Sequence, residues 1–239
     1  MESQVGDSGD SIGDRLKLLL QHIRRATLAA GRSEGSVRLV AATKTVSVQE
    51  IREAISWGLT LAGENRLQEA LPKIEALQCE AIRWHFIGRL QRRKVRGVVG
   101  VFELIHSVDS LELAEEIDQR AEVAGLRQDI LLEVNIGGET TKTGFRPEDL
   151  ECTLSHVERL THVTVRGLMT IPPPVKHAEE ARPYFRRMRE LAERLSQRAN
   201  QLVSLEELSM GMSNDYQVAI EEGATLVRIG TALFGPRHV

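Results

Sequence analysis

Val37-Arg38-Leu39-Val40-Ala41-Ala42-Thr43-Lys44-Thr45-Val46-Ser47-Val48-Gln49-Glu50 is the stretch on which the architecture turns. Its first seven residues form an apolar run of strand length, and Ser47 followed by Glu50 is the capping box that opens a helix. The helical pattern continues from Val48 to Trp57, Gly58 supplies a stop, and a second apolar run, Leu59 to Ala62, follows at once. Strand, helix and strand with such short joints predict a right-handed crossover between parallel strands.

The same alternation extends to the end of the chain. Further strands are predicted at Arg83 to Ile87, Phe102 to Ser107, Asp129 to Val134, Val163 to Met169, Leu205 to Met210 and Thr225 to Ile229. Helical patterns separate them at Asn65 to Gln78, Gln91 to Val99, Ser110 to Ala124, Pro147 to Leu160, His177 to Ala199 and Asn214 to Glu222, one to each gap. Gly125 and Gly223 repeat the stop seen at Gly58. Eight such units in strict order predict an α/β protein built as a single (β/α)8 TIM barrel, with an extra helix, Arg15 to Ala30, before the first strand.

Domain organisation follows from composition. Residues 1–13 are rich in Gly, Ser and Asp and lack a cationic start followed by an apolar core, so they are expected to be a flexible tail and not a signal peptide. Residues 14–239 form the one expected barrel domain. Pro172-Pro173-Pro174 joins two well-patterned segments and is expected to be a rigid loop.

The chain has 239 residues, 41% of them hydrophobic, enough for a sizeable core. A formal net charge of −3 gives no global attraction to nucleic acid or to an anionic membrane, and no segment reaches membrane-spanning length. Cys79 and Cys152 lie far apart with no metal-binding spacing, so neither a disulfide framework nor a zinc site is indicated, which fits a reducing cytoplasm. The expected partner is a small molecule.

In a barrel of this type, chemistry resides in the loops after the strands. Strand one delivers Lys44, strand two Gly63-Glu64-Asn65-Arg66, strand three His85 and Gly88, strand five Asn135 and the loop to Gly144, and strand six Met169-Thr170. Strand seven delivers Ser209-Met210-Gly211-Met212-Ser213 and strand eight Arg228, Gly230 and Thr231. Closure brings strand eight beside strand one, so Arg228 and Lys44 are expected at one mouth. Repulsion between the two cations and desolvation would free the lysine amine for condensation with an aldehyde. Ser213 and the backbone N–H groups around Gly230 and Thr231 are placed for a phosphate. Aldehyde and phosphate on one ligand point to pyridoxal phosphate.

Other polar landmarks have plainer readings. Arg89, Arg92, Arg93 and Arg96 fall at helical spacing and read as a solvated face, or alternatively as a patch for an anion or an acidic partner. His85 reads equally as a hydrogen-bonded core histidine, Gly230 as a turn, and Ser213 as a cap for the helix from Asn214. Met210 and Met212 read as packing residues. Lys142, in the loop Gly137 to Gly144, reads as solvated, or alternatively as meeting a ligand at the barrel mouth, and Tyr216 as a group able to approach a ligand.

These landmarks resemble the pyridoxal phosphate homeostasis proteins, which look like the barrel domain of fold-type III enzymes such as alanine racemase. The resemblance rests on Ala42-Thr43-Lys44, Gly63-Glu64-Asn65-Arg66-Leu67-Gln68-Glu69, Trp84-His85-Phe86-Ile87-Gly88, Leu90-Gln91, Val134-Asn135-Ile136, Gly167-Leu168-Met169, Leu208 to Ser213 and Val227-Arg228-Ile229-Gly230-Thr231. It implies a Schiff base on Lys44, with Asn65 near the ring, Arg228 facing the pyridine nitrogen, Ser213, Gly230 and Thr231 holding phosphate, and Met210 among the binding positions. A guanidinium opposite the ring nitrogen weakens the electron sink. The run Gly88-Arg89-Leu90-Gln91-Arg92-Arg93-Lys94 departs from the family pattern, which more usually has His at 89 and Asn at 93. The implied function is non-catalytic holding of pyridoxal phosphate for cellular homeostasis, with exchange to apoenzymes that need it, by a cytoplasmic monomer. The alternative is a racemase or another fold-type III enzyme with weak activity. Such racemases use a further β domain and a tyrosine, and the chain ends at Val239, just past the last barrel strand.

Overall fold

Eight parallel strands pair in chain order and close into a barrel, β1 bonding to both β2 and β8. The computed structural model describes residues 11–236. The strands are β1 Arg38–Ala42, β2 Leu61–Glu64, β3 Arg83–Phe86, β4 Leu104–Val108, β5 Gln128–Glu133, β6 Val163–Met169, β7 Val203–Ser209 and β8 Leu226–Ile229. All eight lie within two residues of the bounds the apolar runs predict.

The helices are α1 Ile12–Ala29, α2 Val48–Ser56, α3 Leu67–Ala76, α4 Leu111–Val123, α5 Leu150–Val157, α6 Arg182–Ser196, α7 Tyr216–Glu221 and α8 Thr231–Phe234. The capping box of Ser47 and Glu50 is formed, and Ser110 accepts from the Leu113 N–H at the start of α4. Gly58, Gly125 and Gly223 each hold the positive φ of a helix stop. The first helix starts earlier than expected. Ser11 accepts from the Asp14 N–H and caps it, and Ile12 and Gly13 are already buried in it, Gly13 lying under the Trp57 ring. The rest of the expected tail, residues 1–10, lies outside the described residues.

Two expectations about helices are corrected. Between β3 and β4 the only helical turn is a six-residue 3-10 segment, Arg92–Gly97, where an α-helix from Gln91 to Val99 was expected. The predicted helices at Pro147 and His177 each begin with a short 3-10 turn before α5 and α6. The four-residue α8 is an addition that apolar periodicity is too short to announce.

Side-chain alternation along the strands separates two cores. Leu39, Ala41, Ala62, Phe86, Ile105, Ile130 and Leu132 point outward and pack against the helices. Val40, Leu61, Ile87, Leu104, Leu131, Met169 and Leu226 form a second, smaller cluster that fills the barrel interior. Two residues along from three of these, and so on the same inward face but nearer the mouth, come His106, Glu133 and Arg228. The barrel is thus plugged by aliphatic side chains and lined above them by polar ones.

The same alternation places Lys44 inward and Thr43 outward. Thr43 and Glu64 meet α3 on the outer wall, where Ala70, Lys73 and Leu77 occupy one buried helix face. The Lys73 ammonium donates to the Thr43 carbonyl oxygen at 2.7 Å and to Glu64 Oε1 at 2.7 Å, and the Thr43 hydroxyl donates to the same carboxylate at 2.7 Å. Glu64 is fully buried. This ion pair therefore fixes the last peptide before Lys44 against the third helix.

Removing one partner of a buried pair leaves a charge without compensation. Lys73→Met is expected to lower the unfolding free energy by about 3–5 kcal/mol, and adding Glu64→Gln should recover part of it, both read from urea titrations. A Cβ on Gly167 would lie 1.8 Å from the Glu207 carbonyl oxygen on the neighbouring strand. Gly167→Ala is accordingly expected to cost about 1–3 kcal/mol in the same titration, or to prevent folding where the sheet cannot yield.

Candidate functional site

A cavity of about 700 Å³ opens at the carboxyl ends of the strands and is lined by Lys44, Asn65, Ser213, Arg228, Gly230 and Thr231. Six of the seven binding positions named from the sequence therefore share one space. The register that makes this so is Val40 against Arg228 and Ala41 against Ile229. Lys44 follows β1 by two residues and is half-buried, and no carboxylate lies in ion-pair range of it among the described residues. Thr45, next to it, has a φ of 64°, a left-handed conformation unfavourable for a β-branched residue, and its hydroxyl donates to the Lys44 carbonyl at 2.6 Å.

Asn65 reaches the cavity because the third loop passes close under it. A Cβ on Gly88 would sit 2.3 Å from the Asn65 carbonyl oxygen, so only glycine lets the two loops approach.

On the opposite side, Gly230 opens α8, and a Cβ there would stand 3.2 Å from the Ala42 carbonyl oxygen. The Ser213 and Thr231 hydroxyls are 3.3 Å apart, and the Ala232 N–H donates to Ser213 Oγ at 3.5 Å. Two hydroxyls and the first N–H groups of a helical turn thus converge, a donor set suited to an anion. Ser213 is not the cap of α7, as its plainer reading had it. That helix starts at Tyr216, and Asp215 organises the turn by accepting from the Met212 N–H at 2.6 Å.

Arg228 forms the floor. It is 5% exposed, and it donates to the Ser209 carbonyl at 2.8 Å, to Ser209 Oγ at 2.6 Å and to the Thr170 carbonyl at 2.9 Å. Burial draws its pKa down to about 10, while Glu133 and Asp215 oppose that shift, so it stays protonated at neutral pH. Burial raises the carboxyl pKa values of both Glu133 and Asp215, and Arg228 moderates each.

Several expectations change here. Met210 does not line the cavity: it is fully buried in the outer core, its N–H bonded to the Leu226 carbonyl at 3.1 Å, and Met212 lines the cavity instead. Gly211, at a φ of 91°, breaks the strand between the two methionines and turns the second into the cavity. Tyr216 turns away to α1, its hydroxyl 3.4 Å from His22 Nδ1. Lys142, read as solvated, lines the cavity and is held across its edge by the Ile171 and Pro172 carbonyls and an ion pair with Glu139. The three prolines at 172–174 form the adjoining wall. Arg92, Arg93 and Arg96 lie in a separate surface cleft with Glu116 and Arg120, and neither they nor Arg89 line the mouth. Lys73 and Glu64 were missed as supporting residues. The available signal was a lysine on the buried face of an amphipathic helix.

Comparison with known proteins agrees with this geometry. Residues 19–238 match the family described as alanine racemase, N-terminal domain. A pyridoxal phosphate homeostasis protein from Aquifex aeolicus is 51% identical over 224 residues, covering 94% of this chain and 97% of the relative. The solved structure of PipY from Synechococcus elongatus with PLP bound is 38% identical and superposes with a TM-score of 0.81 over 94% of this chain and 100% of that one. An alanine racemase from Clostridium difficile shares the fold alone, at 14% identity and a TM-score of 0.67 over 95% of this chain and 57% of its own. The chain belongs to the alanine racemase N-terminal domain family and, within it, to the pyridoxal phosphate homeostasis proteins.

Proposed function

We propose that this chain binds pyridoxal phosphate through a covalent link to Lys44 and serves intracellular pyridoxal phosphate homeostasis as a carrier. The observation that carries the reading is the sharing of one cavity by a lysine with no ion-pair partner among the described residues, an anion cradle of hydroxyl and N–H donors and a buried guanidinium. When bound, the cofactor supplies an electrophilic aldehyde and, in enzymes, an electron sink. Lys44 provides the amine, and Ser213, Thr231 and the N–H groups following Gly230 provide donors for the phosphate. Arg228 offers its remaining N–H groups to the ring and does not readily give up a proton, which restrains carbanion chemistry. Asn65 and Met212 line the same cavity and would be available to the ring.

A carrier is favoured over a racemase by what stands around Lys44. Racemisation needs a second acid or base on the opposite face. No tyrosine lines the cavity among the described residues, Tyr216 being turned to His22 and Tyr184 packed on the outer core. The proposed carrier is a monomer that releases the cofactor to apoenzymes. Cys79 and Cys152 are free and exposed, which suits a reducing cytoplasm, and no described helix is long and apolar enough to cross a membrane.

Protein loaded with pyridoxal phosphate is expected to absorb in the visible and, after borohydride reduction, to carry the adduct on Lys44 by peptide mass spectrometry. Lys44→Ala should abolish that adduct, and retention of a reducible adduct at unchanged stoichiometry would move the assignment to another lysine. The double change Ser213→Ala with Thr231→Ala should leave the Lys44 adduct possible but weaken equilibrium binding by about 10- to 100-fold, as expected for losing hydrogen bonds to a charged group. Racemisation of several amino acids that is lost in Lys44→Ala would favour the enzyme over the carrier.

A further inference from the structure

Beneath Arg228 the barrel interior holds a continuous line of hydrogen bonds that the binding site does not itself require. Ser209 Oγ is 2.8 Å from His106 Nδ1, and His106 Nε2 is 2.9 Å from His85 Nδ1. Ser209, His106 and His85 are all at most 1% exposed, and they come from three different strands, β7, β4 and β3. The two imidazole rings stand 5.0 Å apart. At the far end, His85 Nε2 is buried with no hydrogen-bond partner among the described residues.

The chemistry of the groups sets the direction of every bond. A guanidinium has donors only, so Ser209 Oγ must accept from Arg228. The serine hydroxyl proton is then free to point at His106 Nδ1, which accepts it. Burial foremost, reinforced by the neighbouring cations, keeps both histidines neutral, His85 with a pKa of about 3 and His106 well below the usual imidazole value. A neutral ring that accepts at Nδ1 carries its proton at Nε2. His106 therefore donates to His85 Nδ1, and His85 in turn carries its own proton on the unpartnered Nε2. The reverse direction would need Ser209 Oγ to accept from both Arg228 and His106 and to turn its own proton to a third group, and among the described residues Ser209 Oγ has no partner besides those two.

We infer that Ser209, His106 and His85 form a one-way hydrogen-bonded strut that positions the Arg228 guanidinium, and thereby the face it presents to the ring nitrogen of the ligand. These are positioning residues, acting through Arg228. The part played toward the ligand rests on the function proposed above, whereas the strut itself does not. Two carbonyls and one hydroxyl occupy three of the five guanidinium N–H groups, and the hydroxyl is the only one of these acceptors whose orientation another side chain controls. Loss of the His106 acceptor lets the Ser209 hydroxyl rotate and compete with Arg228 for the nearby carbonyls. The strut crosses the interior where the aliphatic plug ends, so the polar layer is held from below as well as from the mouth.

The cofactor-free protein tests the strut directly. Long-range nitrogen-15 spectra should show both buried histidines neutral and in the Nε2–H tautomer at neutral pH. An Nδ1–H tautomer or an imidazolium at His106 would overturn the proposal. Side-chain N–H protons of Arg228 should exchange with solvent at least tenfold faster in His106→Leu than in the wild type, and His106→Gln, which keeps one acceptor and one donor, should restore slow exchange. Equal exchange in all three proteins would sink the strut even with the tautomers as expected. With pyridoxal phosphate added, His106→Leu should shift the visible band and weaken binding about tenfold while the reduced adduct stays on Lys44. Failure of the wild type to bind pyridoxal phosphate would refute the proposed function and leave the tautomer and exchange results to decide the strut.

Discussion

The pairing of the last strand with the first is the constraint on which the molecule depends. Val40 against Arg228 and Ala41 against Ile229 bring the two ends of the chain to one rim, and this register decides that an amine from one end and an anion cradle from the other address the same cavity. A parallel pair cannot be made by a hairpin, so every crossover between the two strands must fold before they can meet. The binding site is in that sense a property of the complete barrel. A one-residue slip of β8 against β1 would turn Arg228 to the outer wall and away from Lys44.

Around this closure the polar groups divide by face. Outward, the Glu64 and Lys73 pair fastens the end of β1 to α3, and inward the Arg228, Ser209, His106 and His85 line ties the end of β8 to strands across the barrel. Both arrangements bury groups that pure hydrophobic packing would avoid, and each leaves one atom without a hydrogen-bond partner among the described residues, Glu64 Oε2 and His85 Nε2. Their common effect is positional: one fixes the peptide that carries the lysine, the other the guanidinium facing it. Desolvated polar groups of this kind are costly to misplace, which favours a single arrangement.

The sequence revealed the periodic features well. Strands of four to seven residues bounded by Ser caps and Gly stops carry their own punctuation, so the barrel followed from the residues, and six of the seven positions named for binding lie on one cavity. It was less informative where tertiary contacts set the outcome. The arginine-rich stretch after β3 has helical spacing but folds as a 3-10 turn, its Val95 and Val98 buried against the barrel while the arginines remain outside. Met210 and Met212 differ in role because β7 ends at Ser209 and Gly211 between them takes a φ of 91°, which breaks the alternation that would otherwise keep the two methionines on one face. Lys142 could be placed at the mouth only once the Ile171 and Pro172 carbonyls were known to lie across from it.

The location of the histidines has a further consequence for the chemistry at the mouth. A charged imidazole beneath Arg228 would add to the positive potential of the floor and compete with Arg228 for the compensating charge of Glu133 and Asp215, whereas two neutral imidazoles transmit orientation without adding charge. The floor then carries the charge of one guanidinium, moderated by two carboxyl groups, and the phosphate cradle across the cavity consists of hydroxyl and backbone donors. Lys44 and Arg228 consequently stand in a cavity whose net charge a single anionic ligand can balance. Such a cavity gains most from a ligand that brings its own negative phosphate and a neutral aldehyde, and gains least from a second cation.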